Sequence, residues 1–222
     1  MKPALGVERL VADRIRESAA IKEGMLERED FLALVAEAAC AISDSLGKGG
    51  KVLFFGNGGS AADAQHLAAE FAGRYLRERP GLAGVALTTN SSCLTAIAND
   101  YGYEYVFAHQ LEGLGSAGDV AIGISTSGKS PNVLRGLEVA REKAMFTVGM
   151  TGRDGGKLKS IVDICLCIDS DQTPRIQEAH ILIGHILCEI VEEEVFYDGG
   201  VSGSRRRDNS KSARGRIHHE MG

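Results

Sequence analysis

The chain has no tryptophan, and aromatic residues fill only 5% of its 222 positions. Its core must therefore come from Leu, Ile, Val and Ala, and 44% hydrophobic residues make a core of useful size attainable. There is no Cys-x-x-Cys pair. The five cysteines, Cys40, Cys93, Cys165, Cys167 and Cys188, are scattered and odd in number. That excludes a disulfide framework or a Cys-rich zinc module and points to reduced thiols. Cys165 and Cys167 fall on one expected strand and are assigned to its opposite sides. No apolar run reaches about 18 residues, so no membrane span is expected. The opening MKPALGVERLVADRIRES lacks a signal-type apolar block. The expectation is a cytoplasmic protein. A net charge of -5 gives no general attraction to nucleic acid or an anionic membrane, and neither is expected as a partner.

What is plentiful is glycine, 28 residues, as a chain of tight βα turns would need. Helical spacing of apolar residues predicts two helices over 6–46. Short apolar runs predict strands at 51–55, 83–87, 119–125, 145–150 and 162–168. Helices are expected at Ser91–Asn99, Tyr103–Leu114, Pro131–Lys143 and 174–196. Strands alternating with helices imply a parallel sheet covered on both faces, a three-layer flavodoxin-like α/β fold with five strands. The expected organisation is N-terminal helices over 1–50, the α/β unit over 51–197 and a basic tail over 198–222. Residues 199–222 carry six Lys/Arg against two Asp/Glu, a balance of +4, so the remainder carries -9. The tail reads as solvated and disordered. The last helix contains ILIGHILCEIV, apolar around nearly its whole circumference. Burial on all sides is expected, which implies a subunit interface.

Three stretches carry candidate chemistry. GISTSGKS, Gly123 to Ser130, fits the P-loop pattern G-x-x-x-x-G-K-[ST]. The details favour another reading. Gly123 lies inside an apolar strand pattern, and Pro131 suits the first position of a helix with Ser130 as its N-cap. Ser125, Thr126, Ser127 and Ser130 then offer four hydroxyls, Gly128 admits close backbone, and the helix start is electropositive. That is a cup for a phosphate monoester, needing neither Lys129 nor Mg²⁺. The second stretch, GNGGSAAD, brings Asn57, Gly58 and Gly59 to the mouth of the sheet. The third is a set of helical residues. His66 and Glu70 stand four apart on one helix face, and Gln177 and His185 share a side of the last helix two turns apart. Each pair could touch one metal ion, or a carboxylate could do base work there. His180 points away from His185 and reads as a packing or interface residue. A buried His185 is expected to be neutral, ligating or hydrogen-bonded.

Taken together, GNGGSAADAQHLAAEFAGRY, IANDYGY, ISTSGKSPNV and TPRIQEAHILIGHILCEIVE resemble the phosphoheptose isomerases, sedoheptulose 7-phosphate isomerases of the SIS (sugar isomerase) fold. The resemblance spans about residues 5 to 197, with four motifs in order. It implies a phosphate loop at Ser125, Thr126, Ser127 and Ser130. It implies substrate contacts at Asn57, Gly58, Gly59, Glu70, Asn99, Asp100 and Gln177. Zinc, one per subunit, is implied at His66, Glu70, Gln177 and His185, with Glu70 as catalytic base and His185 as its acid/base partner. A phosphorylated seven-carbon sugar is the implied ligand, and a homotetramer with active sites between subunits the implied assembly. The implied reaction makes D-glycero-D-manno-heptose 7-phosphate, at the start of heptose synthesis for lipopolysaccharide or other surface glycans. Two rivals use the same fold: a non-catalytic binding protein of the replication-initiator regulator type, and an isomerase of another sugar phosphate. The presence of both Glu70 and His185 favours an enzyme.

Overall fold

The structure is a computed structural model that describes residues 5–196. The tail expected over 198–222 lies outside the described residues. In chain order the elements are α1 (Leu5–Leu26), α2 (Glu29–Gly47), β1 (Val52–Gly56), α3 (Gly59–Ala72), β2 (Gly84–Ala86) and α4 (Ser91–Asp100). A 3-10 turn (Tyr103–Tyr105) precedes α5 (Ala108–Leu114), β3 (Val120–Ile124), α6 (Pro131–Glu142) and β4 (Phe146–Gly152). A second 3-10 turn (Leu158–Ser160), β5 (Ile164–Ile168) and α7 (Thr173–Phe196) complete it.

All five strands are parallel, in the order β2-β1-β3-β4-β5. This is the flavodoxin-like order. The strands read as continuous apolar runs because both faces are covered. In β1, Val52 and Phe54 enter a core layer with residues of α2, α3 and α7, while Leu53 and Phe55 enter a second layer with residues of α5 and α6. α1 and α2 pack onto α7, so the N-terminal helices share the first of these layers.

Two expectations are corrected. The helix expected over Tyr103–Leu114 is broken: a 3-10 turn ends at Tyr105, and α5 starts only at Ala108. The break turns Val106 and Phe107 inward, where both are buried. Cys165 and Cys167 share one face of β5, since residues two apart on a strand must. Both are half-buried, while Ile164, Leu166 and Ile168 fill the other face. Within one chain α7 keeps part of its apolar surface open, and the expected burial on all sides concerns an assembly with a second subunit. Ile183, Leu187 and Val191 are buried, but Ile186 is exposed and Ile181, Leu182 and Ile190 are half-covered. On α1, Val7, Leu10, Val11 and Ile15 form an exposed apolar stripe at helical spacing.

Candidate active site

β1 and β3 are neighbours in register to their last residues, Gly56 opposite Ile124. The loops that follow them therefore leave the sheet side by side. The chain goes from β1 to one side and from β3 to the other, so the crevice between the loops is the switch point where such sheets bind ligands. The loops are joined by a reciprocal amide pair. Asn57 Nδ2 donates to Asn132 Oδ1 at 2.9 Å, and Asn132 Nδ2 donates back to Asn57 Oδ1 at 2.8 Å. Tyr103 Oη donates to the same Asn57 oxygen at 3.0 Å. A cavity of about 420 Å³ opens here, lined by Asn57, Tyr103, Glu104, Ser130, Pro131 and Asn132 among others. Its size suits a small-molecule ligand. Asn132 and Tyr103 were not foreseen, because their partner Asn57 is far away in sequence.

The phosphate cup forms around residues 125–130. Ser125 is buried, and its Oγ lies 2.9 Å from Ser130 Oγ. Thr126 is half-buried and Ser127 exposed. Among the described residues, no partner takes the backbone N–H of Thr126, Ser127 or Ser130. These donors stand at the positive end of α6, an arrangement suited to an anion. Gly128 has φ +62°, and a Cβ there would lie 2.1 Å from the Gly155 carbonyl oxygen, so the turn accepts no side chain. Ser130 is the N-cap residue, but its hydroxyl makes no capping bond and faces Ser125 instead. An N-cap serine ordinarily turns its hydroxyl to the helix N–H groups, and this one does not. The P-loop reading fails on position. Gly123 sits within β3, packed under Leu137 and Val133, and cannot begin a phosphate-wrapping turn.

The second cluster lies on the facing sides of α3 and α7. The helices approach closely at Leu67 and Gly184, where a Cβ on the glycine would lie 2.5 Å from Leu67 Cδ2. A histidine adjoins each contact residue, His66 just before Leu67 and His185 just after Gly184. His66 Nε2 lies 3.4 Å from His185 Nε2 and 3.1 Å from Glu70 Oε1. Donor atoms of His66, Glu70 and His185 lie within 4.8 Å of one another. His66 is exposed, Glu70 and His185 half-buried. His185 is thus less covered than expected, with the Tyr75 ring beside it at 5.7 Å between centroids. His66 Nε2 can carry only one proton, and the acceptor-only Glu70 claims it. The 3.4 Å contact between imidazoles is then left unsatisfied. A cation held between them would satisfy it. Two nitrogens on a tetrahedral zinc at the usual bond length sit about 3.3 Å apart, so the spacing and the N/O donor set fit the ion.

The remaining expected site residues are more dispersed. Gly58, with φ +57°, is the N-cap of α3. The Gln177 amide lies over Gly59, where a Cβ would sit 2.4 Å from its Nε2. This is about 10 Å along α3 from His66, so Gln177 stands apart from the histidine pair in this arrangement. Asn99 and Asp100 are exposed at the end of α4, and Asn99 Nδ2 donates to Asp100 Oδ1 at 2.7 Å. Neither lines the cavity. His180 is fully buried and hydrogen-bonded through Nε2 to the Thr151 carbonyl at 3.1 Å. Burial pushes its pKa down to about 4, against a smaller upward effect of that bond.

Comparison with known proteins identifies the family. The SIS domain family matches residues 15–152. A phosphoheptose isomerase of Sulfurimonas denitrificans is 50% identical over 87% of this chain and 99% of its own length. One from Aneurinibacillus thermoaerophilus is 49% identical over 86% and 97%. The solved phosphoheptose isomerase of Neisseria gonorrhoeae has 43% identity and a TM-score of 0.79, covering 84% of this chain and 99% of its own. No helix among the described residues is long and apolar enough to cross a membrane. With fold and sequence in agreement over nearly the full length of these relatives, the chain belongs to the SIS domain family and, within it, to the phosphoheptose isomerases, and it is an isomerase.

Proposed function

We propose that the enzyme interconverts sedoheptulose 7-phosphate and D-glycero-D-manno-heptose 7-phosphate, supplying heptose for lipopolysaccharide or another surface glycan. The observation that carries this reading is the convergence of Glu70, His66 and His185 within 4.8 Å. An aldose–ketose exchange moves one proton between C1 and C2 and another between their oxygens. Glu70 takes the carbon proton and returns it to the neighbouring carbon. His185 hands protons to and from the two oxygens. The hydroxyls of Ser125, Thr126, Ser127 and Ser130 and the free N–H groups beside them hold the phosphate. That anchor lets binding energy position the distant reacting carbons. Asn57, Gly58, Gly59, Asn99 and Asp100 contact the sugar between.

One zinc per subunit is the proposed cofactor, which His66, Glu70 and His185 would hold, while Gln177, standing apart from them beside Gly59, is left as a substrate contact. When bound it supplies polarisation of the substrate carbonyl and stabilisation of the enediol. The proposed assembly is a homotetramer with active sites between subunits. Its support is the unpartnered apolar stripe on α1 and the exposed Ile186 on α7, beside the half-covered His185. A second copy covering them would dry the site and bring in residues the single chain leaves outside, Asn99 and Asp100 among them.

The test is turnover of sedoheptulose 7-phosphate by purified protein, before and after metal stripping and after zinc is restored. Activity that falls on stripping and returns with zinc is expected. A folded, zinc-loaded protein with no turnover would contradict the substrate assignment.

A further inference from the structure

One ion pair is almost wholly withdrawn from solvent. Arg79 and Glu192 have side chains 2% and 3% exposed, and Arg79 Nε donates to Glu192 Oε2 at 2.6 Å. Buried pairs of this kind rarely stabilise a fold more than apolar side chains of the same size would. The geometry of this one is more informative. Arg79 Nη2 donates to the Glu70 carbonyl at 2.7 Å, and Nη1 donates to the Phe71 and Gly73 carbonyls at 2.9 and 3.2 Å. The guanidinium thus closes the carboxyl end of α3, where carbonyls lack helical partners and a cation is favoured. Glu192 stands on α7, seven residues beyond His185 and on the same side of the helix. Its carboxylate accepts the N–H groups of Tyr75 at 3.0 Å and of Leu76 and Arg77 at 2.9 Å each. Burial works to raise the Glu192 carboxyl, but the Tyr75 N–H, Arg79 and the other two N–H groups outweigh it and hold it below its ordinary value.

We infer that Arg79 and Glu192 are positioning residues that set the register of α3 against α7, and through it the placement of Glu70 and His66 against His185. The inference rests on the site proposed above. Two physical links carry it. Arg79 is bonded directly to the main chain of Glu70 at one end and to α7 at the other. Glu192 holds the main chain of Tyr75, whose ring lies against the His185 imidazole. A slip of one helix along the other would be felt first at the 3.4 Å contact between the two imidazoles. The phosphate cup sits on β3 and α6 and has no part in this network, so its affinity for phosphate is the internal control.

The experiment uses the full chain with Arg79→Lys and Glu192→Gln. Lysine keeps the charge but cannot reach three carbonyls and a carboxylate together. Glutamine keeps the shape and loses the charge. Zinc affinity is measured by competition with a chromophoric chelator, ligand geometry by the visible spectrum of the cobalt(II)-substituted protein, and the cup by calorimetric titration with inorganic phosphate. Zinc affinity should fall about tenfold or more, as for other residues that orient metal ligands, with a changed cobalt spectrum and phosphate affinity kept within about twofold. Should either variant fail to fold, the double replacement Arg79→Leu with Glu192→Met leaves no unpaired charge, and the same result is expected of it. Unchanged zinc affinity and cobalt spectrum in a folded variant overturn the inference, as does an equal loss of phosphate binding. An unaltered chain that takes up neither metal is a different result, and removes the proposed metal site along with the inference.

Discussion

His66 Nε2 and His185 Nε2 face one another at 3.4 Å across two helices that are 119 residues apart in sequence at this point. Glu70 completes the cluster one turn further along α3. Glu70→Gln keeps the shape of the side chain and removes its basic oxygen, and His185→Gln removes the imidazole that α7 contributes to the cluster. Each replacement should lower turnover of sedoheptulose 7-phosphate by about 10²-fold or more. Circular dichroism and the thermal midpoint should stay near those of the unaltered protein, because neither side chain is buried. Retained turnover in either variant would remove that residue from the mechanism.

The close approach that brings the histidines together is set by Gly184. A methyl group there meets Leu67, which is 1% exposed and has little room to retreat. Gly184→Ala should therefore push α3 from α7, at a cost of about 1–3 kcal/mol in stability. Zinc affinity should fall with it. A variant as stable as the parent, with unchanged zinc affinity, would show that Leu67 simply changes rotamer.

The cup and the P-loop reading make opposite demands on Lys129. Its side chain is exposed, and its backbone N–H donates to Ser127 Oγ at 3.3 Å. Lys129→Ala should keep KM within about threefold, whereas Ser125→Ala, which deletes a buried hydroxyl of the cup, should raise it by about tenfold. Steady-state kinetics on both variants decides. Near-total loss in Lys129→Ala would revive a lysine-centred phosphate loop.

The alternation of strand and helix was legible because fully buried strands leave an unmistakable trace, short apolar runs such as VLFF and VAIGI set between glycines. The cup was legible because a helix beginning at Pro131 reveals where its N–H groups point. Pairings across the chain were not. Asn57 with Asn132, Tyr103 with Asn57 and Arg79 with Glu192 join residues 75, 46 and 113 positions apart. Local pattern cannot report such pairs, although a Glu at position 192, in phase with the buried Cys188 and close to Val191, was a visible anomaly. The interruption at 106–107 escaped for another reason. Periodicity over 103–114 is compatible with a helix, and only the burial of Val106 and Phe107 under α4 and α6 favours the tighter turn before α5.

His180 gives a pH dependence whose sign is fixed by its surroundings. Its Nε2–H donates to the Thr151 carbonyl, and its buried Nδ1 has no partner among the described residues, so the folded state holds it neutral. Burial sets its pKa at about 4 in the folded protein, against about 6.5 in an unfolded chain. As pH falls from about 6.5 toward 4, the unfolded state takes up a proton that the folded state refuses, so stability is lost across that window and levels off below it. The full loss is on the order of 3 kcal/mol. Glu192, whose carboxyl is held below its ordinary value of about 4.5, adds its own loss from about that pH downward, as the unfolded state takes up a proton that the folded state refuses. Urea unfolding at pH 7.5, 6.0 and 5.0 isolates the histidine. His180→Gln should be less stable at pH 7.5, through the altered bond to Thr151, and should show a shallower decline toward pH 5.0. An equally steep decline in the variant would place the titrating group elsewhere.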